Sequence, residues 1–164
     1  MTDSTKNKWF CRKVSELKNG MYTFAVSVLK NEADADDALQ NTLITAYQHL
    51  DQLRFAEKFK PWAYKILANE CYRIINNRRY NVNIDEIDCA ADTKQDYETK
   101  ETLWNTINSM ELNYRTVIIL FYYENMSIKD IAKTLDISPD NVKQRLTRAR
   151  NKLKLLLNQE DFYE

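Results

Sequence analysis

Ser127-Ile128-Lys129-Asp130-Ile131-Ala132-Lys133-Thr134-Leu135-Asp136-Ile137-Ser138-Pro139-Asp140-Asn141-Val142-Lys143-Gln144-Arg145-Leu146 has the layout of a helix-turn-helix. Ser127 can cap a short helix carrying Ile128, Ile131, Ala132 and Leu135, with Asp130 at the third helical position of a capping box. Asp136-Ile137 makes the turn, and Ser138 caps a second helix with Pro139 at its first position. Many such turns carry Gly where this chain has Asp136; Asp tolerates left-handed backbone better than most residues, so the turn is expected to survive. On the second helix Val142, Leu146, Ala149, Leu153 and Leu156 share one stripe, and Lys143, Gln144, Thr147 and Arg148 share another. One face packs; the other is free to enter a major groove.

Lys143, Arg145, Arg148, Arg150, Lys152 and Lys154 follow without an intervening acid, which suits phosphate neutralisation. Gln and Arg side chains there can also read base edges. Taken alone, such a run could equally be a solvated surface helix. The capped turn at its N-terminus favours DNA binding.

The rest of the chain agrees with an all-α protein. Its 164 residues include one Gly and two Pro, too few for hairpins, Gly-rich phosphate loops or nucleotide-binding turns. Helical periodicity runs through Met21, Phe24, Ala25, Val28 and Leu29, then Ala35, Ala38, Leu39, Thr42, Ala46 and Leu50. A third set starts at Pro61 and continues through Trp62, Ile66, Leu67 and Ile74. These sets predict a first small helical domain over residues 1–80. From 81 to 100 periodicity fails and acids dominate, the signature of a flexible acidic linker. Leu103, Trp104, Ile107 and Met110 open a second helical domain over 101–164.

Lys and Arg number 24, as do Asp and Glu, but the signs are sorted: acids near Glu32 to Asp37 and Asp85 to Glu98, bases from Arg54 to Arg79 and Lys143 to Lys154. Opposed blocks in a neutral chain imply more than one kind of partner surface. Cys11, Cys71 and Cys89 form no CxxC pair and His49 is the only histidine, so free thiols are expected and neither a metal site nor a cofactor is indicated. No acid, His or Cys constellation suggests an enzyme or a small-molecule substrate. The polar first residues and the shortness of the longest apolar run, Val117 to Tyr123, predict a soluble, cytoplasmic protein.

The stretch Ile137-Ser138, Val142-Lys143, Leu146-Thr147-Arg148-Ala149-Arg150 and Leu153 resembles domain 4 of the extracytoplasmic-function sigma factors. Independently, Ala35-Asp36-Asp37-Ala38-Leu39-Gln40, Ala46-Tyr47, Leu50-Asp51, Phe59, Trp62, Tyr64, Ile66, Ala68 and Asn69 resemble domain 2 of the same family. The departures are Ala63, where the family usually has Leu, and Leu112-Asn113, where it often has Leu-Pro.

The resemblance implies a subunit that binds core RNA polymerase and recognises the −35 and −10 promoter elements. It places Lys143, Gln144, Arg145, Thr147, Arg148 and Arg150 on the −35 element, and Arg54, Lys65, Asn69, Tyr72, Arg73 and Asn76 on the −10 element. Lys65, Asn69 and Arg73 step by four away from Ile66 and Leu67, giving the basic, amide-bearing and aromatic mixture that single-stranded DNA needs.

By the same resemblance the loop Asp51 to Lys60 helps form a pocket for a flipped base, with Asn69 lining it. Leu53, Arg54, Phe55 and Phe59 are candidate walls, although Phe55 and Phe59 could equally be core; Trp62 is assigned to the core and left out of the DNA contacts. Asp37, Gln40, Asn41 and Ile44 match the helix that binds the clamp of the polymerase's largest subunit, and domain 4 would meet the flap of the second subunit. The linker would thread the polymerase's positively lined channel, and an anti-sigma factor would hold the protein inactive. A different reading is a helix-turn-helix regulator that binds a palindromic operator alone, its first domain serving for dimerisation or ligand sensing.

Overall fold

The computed structural model describes residues 2–81 and 99–160. Seven α-helices make up nearly all of this: α1 Asp3–Leu29, α2 Glu32–Gln48, α3 Phe59–Asn81, α4 Thr99–Ser109, α5 Leu112–Ile118, α6 Ile128–Leu135 and α7 Pro139–Glu160. The chain divides into two compact units, 1–86 and 87–164. The expected acidic linker, 81–100, lies almost wholly outside the described residues; Asn81 closes α3 and Thr99 opens α4.

In the first unit α2 packs on both α1 and α3, which also meet one another. The buried residues of α2 are small, namely Ala35, Ala38, Thr42 and Ala46, so larger side chains of its neighbours fill the space between the axes. Phe24 of α1 and Tyr64 of α3 meet there edge to face, with ring centroids 5.7 Å apart. Leu67, Ala68 and Cys71 continue the buried side of α3. Thr42 satisfies its buried hydroxyl by donating to the Ala38 carbonyl at 2.7 Å.

Helix α1 begins far earlier than the apolar set at Met21 suggests. Its N-terminal half is anchored by Phe10, buried against Tyr47 and Phe59, and by Trp9, whose ring lies edge to face on Phe59 at 5.3 Å. Helix α3 likewise starts at Phe59, with Pro61 in its first turn, where the missing N–H costs nothing. Between α2 and α3 the chain makes two single 3-10 turns, Leu50–Gln52 and Ala56–Lys58.

The α1–α2 corner is made by Lys30, left-handed at φ 56°, and by Asn31, whose side chain accepts from the Asp34 N–H at 2.8 Å. Arg78 of α3 reaches back to this corner, donating to the Leu29 carbonyl at 2.9 Å and pairing with Asp34. One guanidinium thus fastens the far end of α3 to the junction of the other two helices.

In the second unit Val117, Ile118, Ile119 and Leu120 are four consecutive buried residues, more than one helical face can supply. The backbone widens into a π-helical turn over Ile119–Tyr123, with Glu124 N–H donating to the Ile119 carbonyl at 3.1 Å. Buried Arg115 donates to the Met110 carbonyl at 2.7 Å, closing the α4–α5 corner.

Burial pushes the Cys71 thiol up to about 12, so almost no thiolate forms at pH 8, whereas Cys11 is exposed. A short iodoacetamide pulse at pH 8 with peptide mapping should label Cys11 and spare Cys71 until denaturant is added. Rapid labelling of native Cys71 would contradict this packing.

Candidate nucleic-acid interface

The helix-turn-helix forms with the predicted caps. Ser127 accepts from the Asp130 N–H at 3.1 Å, and Ser138 accepts from the Asn141 N–H at 3.1 Å. Asp136 ends α6 in the left-handed region at φ 55° and ψ 48°, and the next N–H, that of Ile137, donates to the Ala132 carbonyl at 3.0 Å. Val142, Leu146 and Ala149 are buried, so the orientation of α7 follows from its packing on α5 and α6.

With α7 fixed in that rotation, Lys143, Gln144, Thr147 and Arg148 are all exposed on one stripe, and exposed Asn151 continues it one turn on. The structure does not put every candidate there. Arg145 is half-buried at the stripe's edge, donating to Asn141 Oδ1 at 3.0 Å and to Asn113 Oδ1 at 3.5 Å. Arg150 lies at the opposite edge, where its Nε donates to the Tyr122 hydroxyl at 2.6 Å and its guanidinium sits 5.5 Å from the Phe121 and Tyr122 ring centroids. Their charge still contributes to the local field, but Nε of each, and one terminal nitrogen of Arg145, are engaged within the fold.

On α3, Lys65, Asn69, Arg73 and Asn76 are exposed and Tyr72 is half-buried, so these candidates share one outward stripe. Leu67 is fully buried behind it, while Ile66 is only half-buried at its margin. Trp62, assigned to the core from sequence, is also only half-buried. It stands two turns before Asn69 on the same side of α3, its ring 6.0 Å from that of Phe59. Tyr80, 91% exposed, extends the stripe towards the helix end and was missed because it follows the last periodic apolar position.

Arg73 is not free. It grips Glu70 through Nε at 3.2 Å and a terminal nitrogen at 2.5 Å, while Asn41 of α2 donates to the same carboxylate at 3.0 Å. Arg73's hydrogen bond holds the Glu70 carboxyl below its usual range, against partial burial and with help from Asn41. The carboxylate is therefore charged wherever the pH exceeds the ordinary Glu value, and the α2–α3 link weakens only on acidification below it.

Of the four proposed pocket walls, Phe59 is core at 3% exposure and Phe55 stands out in solvent at 61%. Leu53 and Arg54 do line a cleft of about 560 Å³, but its opposite side comes from α1. On α2, Asp37, Gln40, Asn41 and Ile44 form one exposed stripe; Ile44 is 56% exposed, and partly exposed Tyr47 adds a second apolar group beside it.

Two family models match the chain: Sigma-70 region 2 over residues 14–80 and Sigma-70 region 4 over 100–153. Among curated proteins the chain is 29% identical to the RNA polymerase sigma factor SigV of Bacillus subtilis over 150 residues, 90% of either chain. It is also 29% identical to the ECF RNA polymerase sigma factor SigM of the same organism, covering 85% of this chain and 90% of that one. The chain belongs to the extracytoplasmic-function sigma factors.

Solved structures share its fold. RpoE from Bartonella quintana, solved with the anti-sigma factor NepR, superposes with a TM-score of 0.74 at 24% identity over 91% of this chain and 96% of that one. CnrH, solved with the cytosolic domain of CnrY, gives 0.66 at 24% identity over 92% and 88%. A sigma factor directs promoter-specific initiation, so the palindrome-binding regulator is not favoured.

The geometry separates two arginines of this sigma factor that sequence reading grouped. Arg148→Ala should lower promoter-directed transcription while leaving thermal unfolding unchanged. Arg150→Ala should cost about 1 kcal/mol of stability through the lost aromatic stack and hydrogen bond. Calorimetry and transcription on both variants check this; equal stability loss in the two would refute the separation.

Proposed function

We propose that this sigma factor works through three separate stripes. Asp37, Gln40, Asn41 and Ile44 on α2 bind the clamp of the polymerase's largest subunit. Lys65, Asn69, Tyr72, Arg73 and Asn76 on α3, with Arg54, engage the −10 element. Lys143, Gln144, Thr147 and Arg148 on α7 engage the −35 element, with Arg145 and Arg150 at its margins. The observation that carries this assignment is that each stripe is outward-facing while the opposite side of its helix is buried.

The α2 stripe mixes one carboxylate, two amides and an exposed isoleucine, a composition that suits a protein partner and repels phosphate. The α7 stripe is basic and amide-bearing, which suits a duplex groove. The α3 stripe adds aromatic rings to amides and bases, which suits separated strands. Nothing in these roles requires the protein to catalyse a reaction: it selects where polymerase starts. Residues 81–100 serve as the tether between domains 1–80 and 101–164, domain 4 meets the flap of the second-largest subunit, and the protein acts in the cytoplasm. An anti-sigma factor regulates it by covering these surfaces.

Purified protein mixed with core RNA polymerase should initiate transcription from a promoter library at a shared pair of motifs, and core alone should not. Specific palindrome binding by the free protein without core-dependent transcription would overturn the proposal. In the same assay Asn69→Ala should alter −10 selection while core binding persists; unchanged promoter preference would remove Asn69 from the −10 contacts. Asp37→Ala with Gln40→Ala should weaken core binding about tenfold or more, and retained affinity would move the clamp contact off α2.

A further inference from the structure

We propose that Glu70 is a positioning residue for promoter reading: it buttresses Arg73 so that the arginine reads a guanine at one −10 position instead of holding the DNA backbone. This rests on the sigma-factor reading above and on the place of Arg73 in the α3 stripe. It gives a role in base choice to an acid that stands beside a DNA-facing surface.

A carboxylate next to nucleic acid is unfavourable unless its charge is taken up. The Glu70 side chain is 19% exposed and that of Arg73 53%, so the guanidinium is the outer member of the pair. Arg73 Nε donates to both Glu70 oxygens, at 3.2 and 3.3 Å, and Nη2 donates to Oε1 at 2.5 Å. Asn41 donates to the same Oε1 at 3.0 Å, so a second helix, α2, holds the carboxylate in place. The two arginine nitrogens in use lie along one edge of the planar group. The other edge, Nη1 with the second N–H of Nη2, is left for an acceptor outside the protein.

This arrangement has two consequences for DNA. The arginine is ordered before it binds, so less rotamer freedom is lost when its free edge finds a partner. Its charge is also largely cancelled by the carboxylate, which lowers the attraction for phosphate but leaves the donors intact for neutral acceptors. In the major groove guanine alone presents two neighbouring acceptors, O6 and N7, to such a fork. Adenine and cytosine present an amino donor there, and thymine a single acceptor. Unpairing the strands leaves that edge of guanine unchanged. Because Arg73 holds the Glu70 carboxyl below its usual range, the buttress is fully formed at neutral pH.

The test uses holoenzyme assembled from core polymerase and the full chain on a promoter library randomised across the −10 region, with the transcribed templates sequenced. Wild-type holoenzyme should prefer guanine at one position by about five- to a hundredfold, the range of one bidentate base contact. Arg73→Ala should abolish that preference there alone. Glu70→Ala should lower it about three- to tenfold at the same position. In that variant, affinity for a non-promoter duplex should rise and its salt slope steepen by about one, because the released arginine takes a phosphate. A merely structural role would lower selectivity and affinity together. In an Arg73→Ala background, Glu70→Ala should leave the salt slope where it was. Glu70→Gln keeps an acceptor for Asn41 and so guards against loss of the fold; it should lower the guanine preference in part, with thermal unfolding little changed. Guanine preference retained in both Glu70 variants, equal loss at every −10 position in a folded variant, or the same salt effect without Arg73 overturns the buttress and leaves the sigma assignment standing, as does a wild-type motif without guanine. Absence of any core-dependent motif with the wild type overturns both.

Discussion

The chain turns its corners without glycine. Its only glycine, Gly20, lies inside α1, and the described left-handed residues are Lys30, Asn125 and Asp136, at φ 53° to 56°. Each costs about 1–2 kcal/mol that a glycine would spare, so each must be held by what surrounds it. Lys30 is held by its own N–H on the Val26 carbonyl and by Asn31 capping the next helix. Asp136 is held between the end of α6 and the Ser138 cap. These corners fix the rotation of α2 and α7 about their axes, and that rotation decides which side chains face outward. An exposed stripe on α7 exists only because Asp136 and Ser138 set where the helix begins.

A division of labour between the cations follows. Arginines are used internally: Arg73 on Glu70, Arg78 on Leu29 and Asp34, Arg115 on Met110, Arg145 on Asn141 and Arg150 on Tyr122. The planar fork suits these links because it can satisfy two acceptors without exacting much further ordering. Lys65, Lys143 and Arg148, by contrast, stand exposed with no ion pair to an acid among the described residues. A basic run that looks like one surface in the sequence is therefore partly engaged within the fold and partly turned to solvent.

Local chemistry made the helix-turn-helix legible, because serine caps, Pro139 and the apolar stripe of α7 all act within one or two turns of themselves. The α3 and α2 stripes were legible for the same reason. What the sequence hid were relations across distance. The N-terminal half of α1 carries its anchors, Trp9 and Phe10, opposite Tyr47 and Phe59, which follow about 40 to 50 residues later. The cleft made by Lys6 and Asp51 has the same long-range origin, which is why Phe55 and Phe59, nearer in sequence, looked like its walls. Trp62 was read as core from the family resemblance and its position among Ala63 and Ile66, yet Ile66 is itself only half-buried and Ala63, the buried one, points about 100° away on the helix.

Electrostatics then constrain how the stripes are used. With 24 basic and 24 acidic residues the chain has no net charge to draw it to DNA from afar. At physiological salt a charge is felt over about 8 Å, so the α7 stripe attracts phosphate only once it is nearly in place. The exposed stripe on α2, with one carboxylate, two amides and an isoleucine, carries no positive charge to attract phosphate. Promoter recognition by such a chain depends on first docking to a larger body that carries the general affinity for DNA, and a neutral charge balance keeps the free subunit from competing with it.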